Sequence, residues 1–172
     1  MKTATTESAK PALHRTRNDL PAAARAELVA LLNASLASAI DLHLQAKQAH
    51  WNVKGPSFFA LHQLFDAVAT TAEAAVDDLA ERAVALGGIA VGTVRAVAAG
   101  TCLSAYPEGA AAGPDHVEAL SRALAAAGAD ARAGIARATD LGDADTADLY
   151  TEISRAIDKQ LWLVEAHGQA QR

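Results

Sequence analysis

Leu28, Leu31, Leu32, Leu36, Ile40 and Leu44 recur at three- and four-residue steps, which is the period of one face of an α-helix. Asn18, Asp19 and Pro21 supply its start, a capping side chain ahead of an early proline. The pattern runs to about Asn52, and Gly55-Pro56 ends it. Ser57 opens a second helix through about Leu86, where Gly87-Gly88 stops it. Residues 89–113 lose the period and carry Gly92, Gly100, Pro107, Gly109 and Gly113, so they read as a long connection with a short helical piece around 93–99. Pro114-Asp115 begins a third helix to about Asp140, with Gly128 and Gly134 leaving room for close packing. A fourth spans about 145–167 and stops at Gly168. Neither strand alternation nor a solenoid repeat is present. The expectation is an all-α four-helix bundle over residues 18–168, with a long crossover between helices 2 and 3. Residues 1–17, Thr/Ala/Lys-rich and without periodicity, read as a flexible basic tail.

Composition changes this picture little. Hydrophobic residues make up 51% with only 4% aromatic, so Ala, Leu, Val and Ile must fill the core, which suits closely packed helices. Charge interrupts the apolar stretches before 18 residues, so no membrane span is expected. Residues 1–17 lack an apolar h-region, and a single Cys102 fits a reducing cytoplasm. The net charge of −5 conceals an asymmetry. Lys2, Lys10, Arg15 and Arg17 against Glu7 give the tail +3, and the other 11 bases against 19 acids leave the body at −8. An acidic body repels nucleic acid, whereas a basic arm can reach it.

The candidate chemistry lies in helix 2. His62/Asp66 and Asp77/Glu81 are each spaced i, i+4, so each pair stacks on one helical face. Eleven residues from Asp66 to Asp77 amount to about 1100° of turn, and all four groups share one angular position. The pairs are nevertheless about 16 Å apart along the axis, against metal–ligand bonds of about 2 Å. They are either two half-sites or ordinary surface charge, interleaved with apolar Leu61, Phe65, Val76 and Leu79. An antiparallel two-fold partner would set one pair opposite the other. Two imidazoles, counting His50 upstream, and three carboxylates make a hard N/O set suited to iron or manganese, and less selectively to zinc.

A bundle with one crossover has ferritin-like connectivity, but the chain contains no Glu-x-x-His, the motif of a di-iron site buried inside such a bundle. The run Lys47-Gln48-Ala49-His50-Trp51-Asn52-Val53-Lys54-Gly55-Pro56 resembles the signature of the Dps family, the ferritin-like DNA-protection-during-starvation proteins. So do Ala60-Leu61-His62-Gln63-Leu64-Phe65-Asp66, Asp77-Asp78-Leu79-Ala80-Glu81-Arg82-Ala83 running on to Gly88, Thr16-Arg17-Asn18-Asp19, and Tyr106-Pro107. The likeness covers about Arg15 to Glu165.

The resemblance implies a hollow homo-dodecamer with ferroxidase centres at its two-fold interfaces. His50, His62 and Asp66 would come from one subunit, Asp77 and Glu81 from its neighbour. It implies Fe(II) and hydrogen peroxide as substrates, a di-iron or mono-iron centre, and ferric mineral stored in the shell, in a nucleoid-associated cytoplasmic protein of the stress response. Lys47 and Trp51 would support the ligands. Asp145 and Asp148, within the acidic run Asp140, Asp143, Asp145 and Asp148, would line a three-fold iron-entry pore, while Asp143 or Asp145 is also suited to cap a helix. Lys2, Lys10, Arg15 and Arg17 are the DNA-contact candidates, gaining avidity from twelve copies. His43, His14, His116 and His167 read as ordinary polar or surface positions, and Leu161, Trp162 and Val164 as core. The alternatives are a shell that coats DNA with little iron turnover, and a bundle that binds a metal such as zinc without turnover.

Overall fold

The computed structural model describes residues 13–169. Five helices follow in order: α1 (Ala22–Asn52), α2 (Phe58–Ala85), α3 (Val94–Gly100), α4 (Gly113–Asp140) and α5 (Ala144–Gln169). Among the described residues there is no strand, only one isolated bridge between Lys54 and Ala112. α1 and α2 form one helical hairpin and α4 and α5 the other, with α1 against α4 and α2 against α5. The crossover carries the chain back along the bundle, so α4 starts beside the end of α1. The short α3 lies on α1.

The three- and four-residue spacing is spent on the bundle interior. Leu28, Leu32 and Leu36 of α1, Phe65, Val68 and Leu79 of α2, Leu120 and Leu124 of α4, and Ile157 and Val164 of α5 are all buried. Each such side chain contributes roughly 1.5–3 kcal/mol on leaving water. Alanines fill the closest approaches, among them Ala46, Ala49, Ala72, Ala83 and Ala138. α1 is long and apolar enough to cross a membrane by composition alone. Leu28, Leu32, Leu36 and Leu42 are buried in the bundle, which accounts for much of that apolarity, and Arg25, Asp41 and Lys47 interrupt it. Ser35 donates to Asp130 Oδ2 (2.7 Å) and accepts from the Tyr150 hydroxyl (3.0 Å), so these buried polar atoms are satisfied. Gly134 sits under the Tyr150 ring, where a Cβ would come within 2.7 Å of it.

Three local expectations change. α1 is capped by Pro21 with no side-chain bond, because the Asn18 carboxamide accepts from the Leu20 amide (3.0 Å) in a turn just before the helix. The expected tail already touches the bundle at residue 14: the His14 amide donates to the Gly87 carbonyl (2.7 Å), and Leu13 packs on the core. Gly87 has φ +88, a conformation glycine adopts without steric cost. Trp162 is 62% exposed rather than core, since Leu161 and Val164 already fill the inward face of α5.

Candidate metal centre

The end of α1 and the start of α2 meet through two histidines. His50 Nδ1–H donates to the carbonyl of His62, and His62 Nδ1–H donates to the carbonyl of His50, both at 2.8 Å. The rings stack with centroids 3.7 Å apart and planes 21° from parallel. A carbonyl only accepts, so each Nδ1 carries the proton, and in the neutral ring each Nε2 keeps its lone pair. That is the tautomer a metal-binding imidazole needs, oriented by backbone rather than by chance.

Asp66 lies one turn beyond His62. Lys47 Nζ donates to its Oδ1 at 2.7 Å, and His50 Nδ1 is 3.8 Å from the same oxygen. The Lys47 ammonium beside it holds the Asp66 carboxyl below the usual carboxylate range. Lys47 also stands 5.9 Å from the Trp51 ring centre. Trp51, Phe58 and Phe59 leave a large apolar area exposed around this half of the stripe. Leu61, Phe65 and Leu79, which interleave with the stripe in sequence, turn instead into the bundle core.

Asp77 and Glu81 are exposed on the same helix. Among the described residues neither makes a side-chain hydrogen bond or ion pair, and no three potential ligands of one chain converge on a metal position. An open groove lined by Ala80, Glu81, Val84, Ala85 and Ala90 runs beside Glu81. Two imidazole Nε2 atoms and a tethered carboxylate, with two further carboxylates displaced along the axis, suit a hard cation. Within one chain the two groups of donors lie apart along α2 and do not converge among the described residues.

Residues 29–171 match the family described as the ferritin-like domain. The DNA protection during starvation protein of Agrobacterium fabrum is 46% identical over 156 residues, which cover 91% of this chain and 96% of that protein. The chain belongs to the Dps family. Solved Dps structures superpose accordingly. DpsC from Streptomyces coelicolor has a TM-score of 0.86 at 32% identity, covering 90% of this chain and 91% of that one. Dps from Microbacterium arborescens, in its high iron form, has a TM-score of 0.79 at 35% identity, covering 91% and 98%.

The remaining candidates fall at other places on this Dps chain. Asp143 is the capping acid of α5: it is 4% exposed and accepts from the Thr146 amide (3.2 Å). Both its oxygens also accept from Arg82 Nη2, at 2.7 and 2.9 Å. Burial raises its pKa, but the bonds from Thr146 and Arg82 outweigh that and hold it low. Asp145 and Asp148 are exposed, Asp145 3.9 Å from Arg82 Nη1. Arg15 and Arg17 are exposed, while Lys2 and Lys10 lie outside the described residues.

His116, expected at the surface, is fully buried, and its Nδ1 shares a hydrogen bond with the Tyr106 hydroxyl (2.5 Å). Only the neighbouring Tyr106-Pro107 hinted at this in sequence, because the crossover folds back over the start of α4. His43 is tied to the Ala69 carbonyl (3.0 Å), which makes it a structural link between α1 and α2.

Proposed function

We propose that this chain oxidises Fe(II), preferentially with hydrogen peroxide, and stores the ferric product inside a homo-dodecameric shell, protecting DNA from oxidative damage. The reciprocal His50–His62 lock carries this reading, because it presents two bare Nε2 atoms next to a carboxylate already kept ionised by Lys47. Support comes from Asp77 and Glu81, which lie on the same helix without partners among the described residues. A two-fold copy running antiparallel along α2 brings Asp77 and Glu81 of the partner subunit opposite His50, His62 and Asp66. The exposed Trp51, Phe58 and Phe59 suit burial in that contact.

Iron is the substrate here. The imidazoles bind it as neutral donors, and the three carboxylates favour the more highly charged Fe(III) product. Hydrogen peroxide accepts two electrons from two Fe(II) and, with two protons, becomes two waters. Asp145 and Asp148, exposed at the start of α5, would repeat around a three-fold axis and draw Fe(II) inward. Arg15 and Arg17, with Lys2 and Lys10, would give weak contacts to DNA phosphates that add up over twelve chains, near the nucleoid of the cytoplasm.

The test is stopped-flow oxidation of Fe(II) by peroxide, with particle mass measured on the same sample. Fast oxidation and a retained ferric core by particles of twelve subunits are expected. A stable monomer, or kinetics unchanged in both His50→Ala and Asp77→Ala, would remove the reading.

A further inference from the structure

The contact between α1 and α2 repeats one heptad away from the candidate iron ligands. His50 bonds the His62 carbonyl, and its Nδ1 is 3.8 Å from Oδ1 of Asp66, four residues further along α2. Seven residues before His50, His43 Nδ1 is 3.0 Å from the carbonyl of Ala69, itself seven residues after His62. Glu73 stands four residues beyond Ala69. A helical carbonyl points at the amide four residues on, so the His43 ring meets α2 at the turn that carries Glu73. A carbonyl only accepts, so His43 Nδ1 carries the proton and the neutral ring keeps a lone pair on Nε2. Glu73 is exposed, and among the described residues it makes no side-chain hydrogen bond or ion pair. It shares the angular position of the stripe, about 20° from Asp66, and lies about 10 Å along the helix from it.

We propose that His43 and Glu73 of two paired chains form a second metal site on their two-fold axis, for a divalent ion of the Zn(II) or Fe(II) class. The proposal rests on the antiparallel α2 pairing of the ferroxidase reading above. Setting His62 opposite Glu81 and Asp66 opposite Asp77 puts the axis beside α2 between Thr71 and Ala72. Each Glu73 then lies about 2 Å along the helix from the axis, so the two carboxylates come together there. Like charges brought close repel, and α2 offers no relief, having no Lys or Arg between residues 63 and 81. Lys47 of α1 is engaged by Asp66. Thr70, which the register sets opposite the partner's Glu73, already donates its hydroxyl to the Asp66 carbonyl at 3.0 Å. A cation removes the conflict. Two imidazole nitrogens and two carboxylates make the mixed donor set of a four-coordinate zinc site, which Fe(II) also accepts. The ion ties the two chains at the axis, apart from the ligands that oxidise iron.

Crystals of the full assembled protein, soaked in Zn(II), are measured at the zinc absorption edge. Anomalous density is expected on the two-fold axis between the two Glu73 side chains, besides that at His50, His62 and Asp66. Equilibrium dialysis with Zn(II) should show one ion fewer per two chains in Glu73→Gln and in His43→Gln. The glutamine amide at position 43 can still donate to the Ala69 carbonyl, so the α1–α2 contact is spared. An axis left empty in the parent, or equal uptake by the parent and both variants, would overturn the site. Zinc held by His50, His62 and Asp66 with the partner's Asp77, beside an empty axis, would overturn the site and leave the ferroxidase reading standing. Chains that do not pair antiparallel along α2 would overturn the site and the shared ferroxidase centre together. The parent crystals decide the matter even where a variant fails to assemble.

Discussion

His50 and His62, twelve residues apart on different helices, each donate Nδ1–H to the other's backbone carbonyl at 2.8 Å. The arrangement clamps the α1–α2 turn, and because a carbonyl only accepts, the fold itself fixes Nδ1 as the donor nitrogen of each ring. Because Asp77 and Glu81 lie elsewhere on α2, mixing two inactive variants is informative. His62→Ala and Asp77→Ala particles, each inactive, should regain iron oxidation when dissociated and reassembled together. In each mixed dimer one of the two shared sites is intact. Stopped-flow oxidation that stays at the level of the single variants would remove the shared-site reading.

Lys47 donates to Asp66 at 2.7 Å, and where a carboxylate binds a metal such a partner typically accounts for about 10–100-fold in metal affinity or activity. Lys47→Gln should reduce Fe(II) affinity within that range without altering the helical signal in circular dichroism. The Asp66 carboxyl, held low mainly by Lys47, should then protonate at higher pH. The acid limb of the rate profile should therefore move up. A profile that does not move would show that Lys47 has no hold on the ligand.

The Arg82–Asp143 pair ties α2 to the cap of α5. The folded Asp143 carboxyl is held below its unfolded value of about 3.9. Its contribution is therefore fully present above that pH and is lost as pH falls through the folded value. Asp143→Asn keeps a capping side chain but removes the buried charge facing Arg82, leaving the guanidinium its bond to Thr146 and the more distant Asp145, so the cost should be about 3 kcal/mol, the low end for breaking a buried pair. Thermal melts should show the variant less stable at pH 7, with the gap from the parent narrowing as the pH falls below about 4. A gap that is constant with pH would contradict the assignment.

Gly134→Ala puts a methyl group 2.7 Å from the buried Tyr150 ring. Tyr150 is buried and held through its hydroxyl by Ser35, so overpacking should cost about 1–3 kcal/mol. Chemical denaturation would register it as a lower midpoint. Gly142→Ala, which meets nothing within 4 Å but has φ +78, serves as a comparison in which only backbone strain acts.

For DNA, mobility shifts should weaken steeply with salt, each phosphate contact adding about −0.9 to the logarithmic slope. Arg15→Ala with Arg17→Ala should flatten that slope. Deleting residues 1–17 should abolish the shift, and it should also lower stability, since it removes Leu13 and the His14–Gly87 bond. Equal binding by the truncated protein would exclude the arm.

The sequence by itself determined the helices and their connection. A 3.6-residue period, glycine and proline stops and a long unpatterned crossover leave a chain few other ways to bury its leucines and alanines, and the observed bounds lie within a few residues of that reading. It also determined that His62/Asp66 and Asp77/Glu81 share one helical face yet stand too far apart for one ion, because that follows from helix geometry alone. Only the tertiary structure decided what no local pattern encodes. The Nδ1 tautomers depend on carbonyls brought from another helix, and Asp143 rather than Asp145 became the cap because Arg82 of α2 reaches it. His116 was buried by a crossover that folds over it, while Trp162 was left outside because one helix face is already full. Periodicity reports which way a side chain points along its own helix; what it meets there is settled by the rest of the chain.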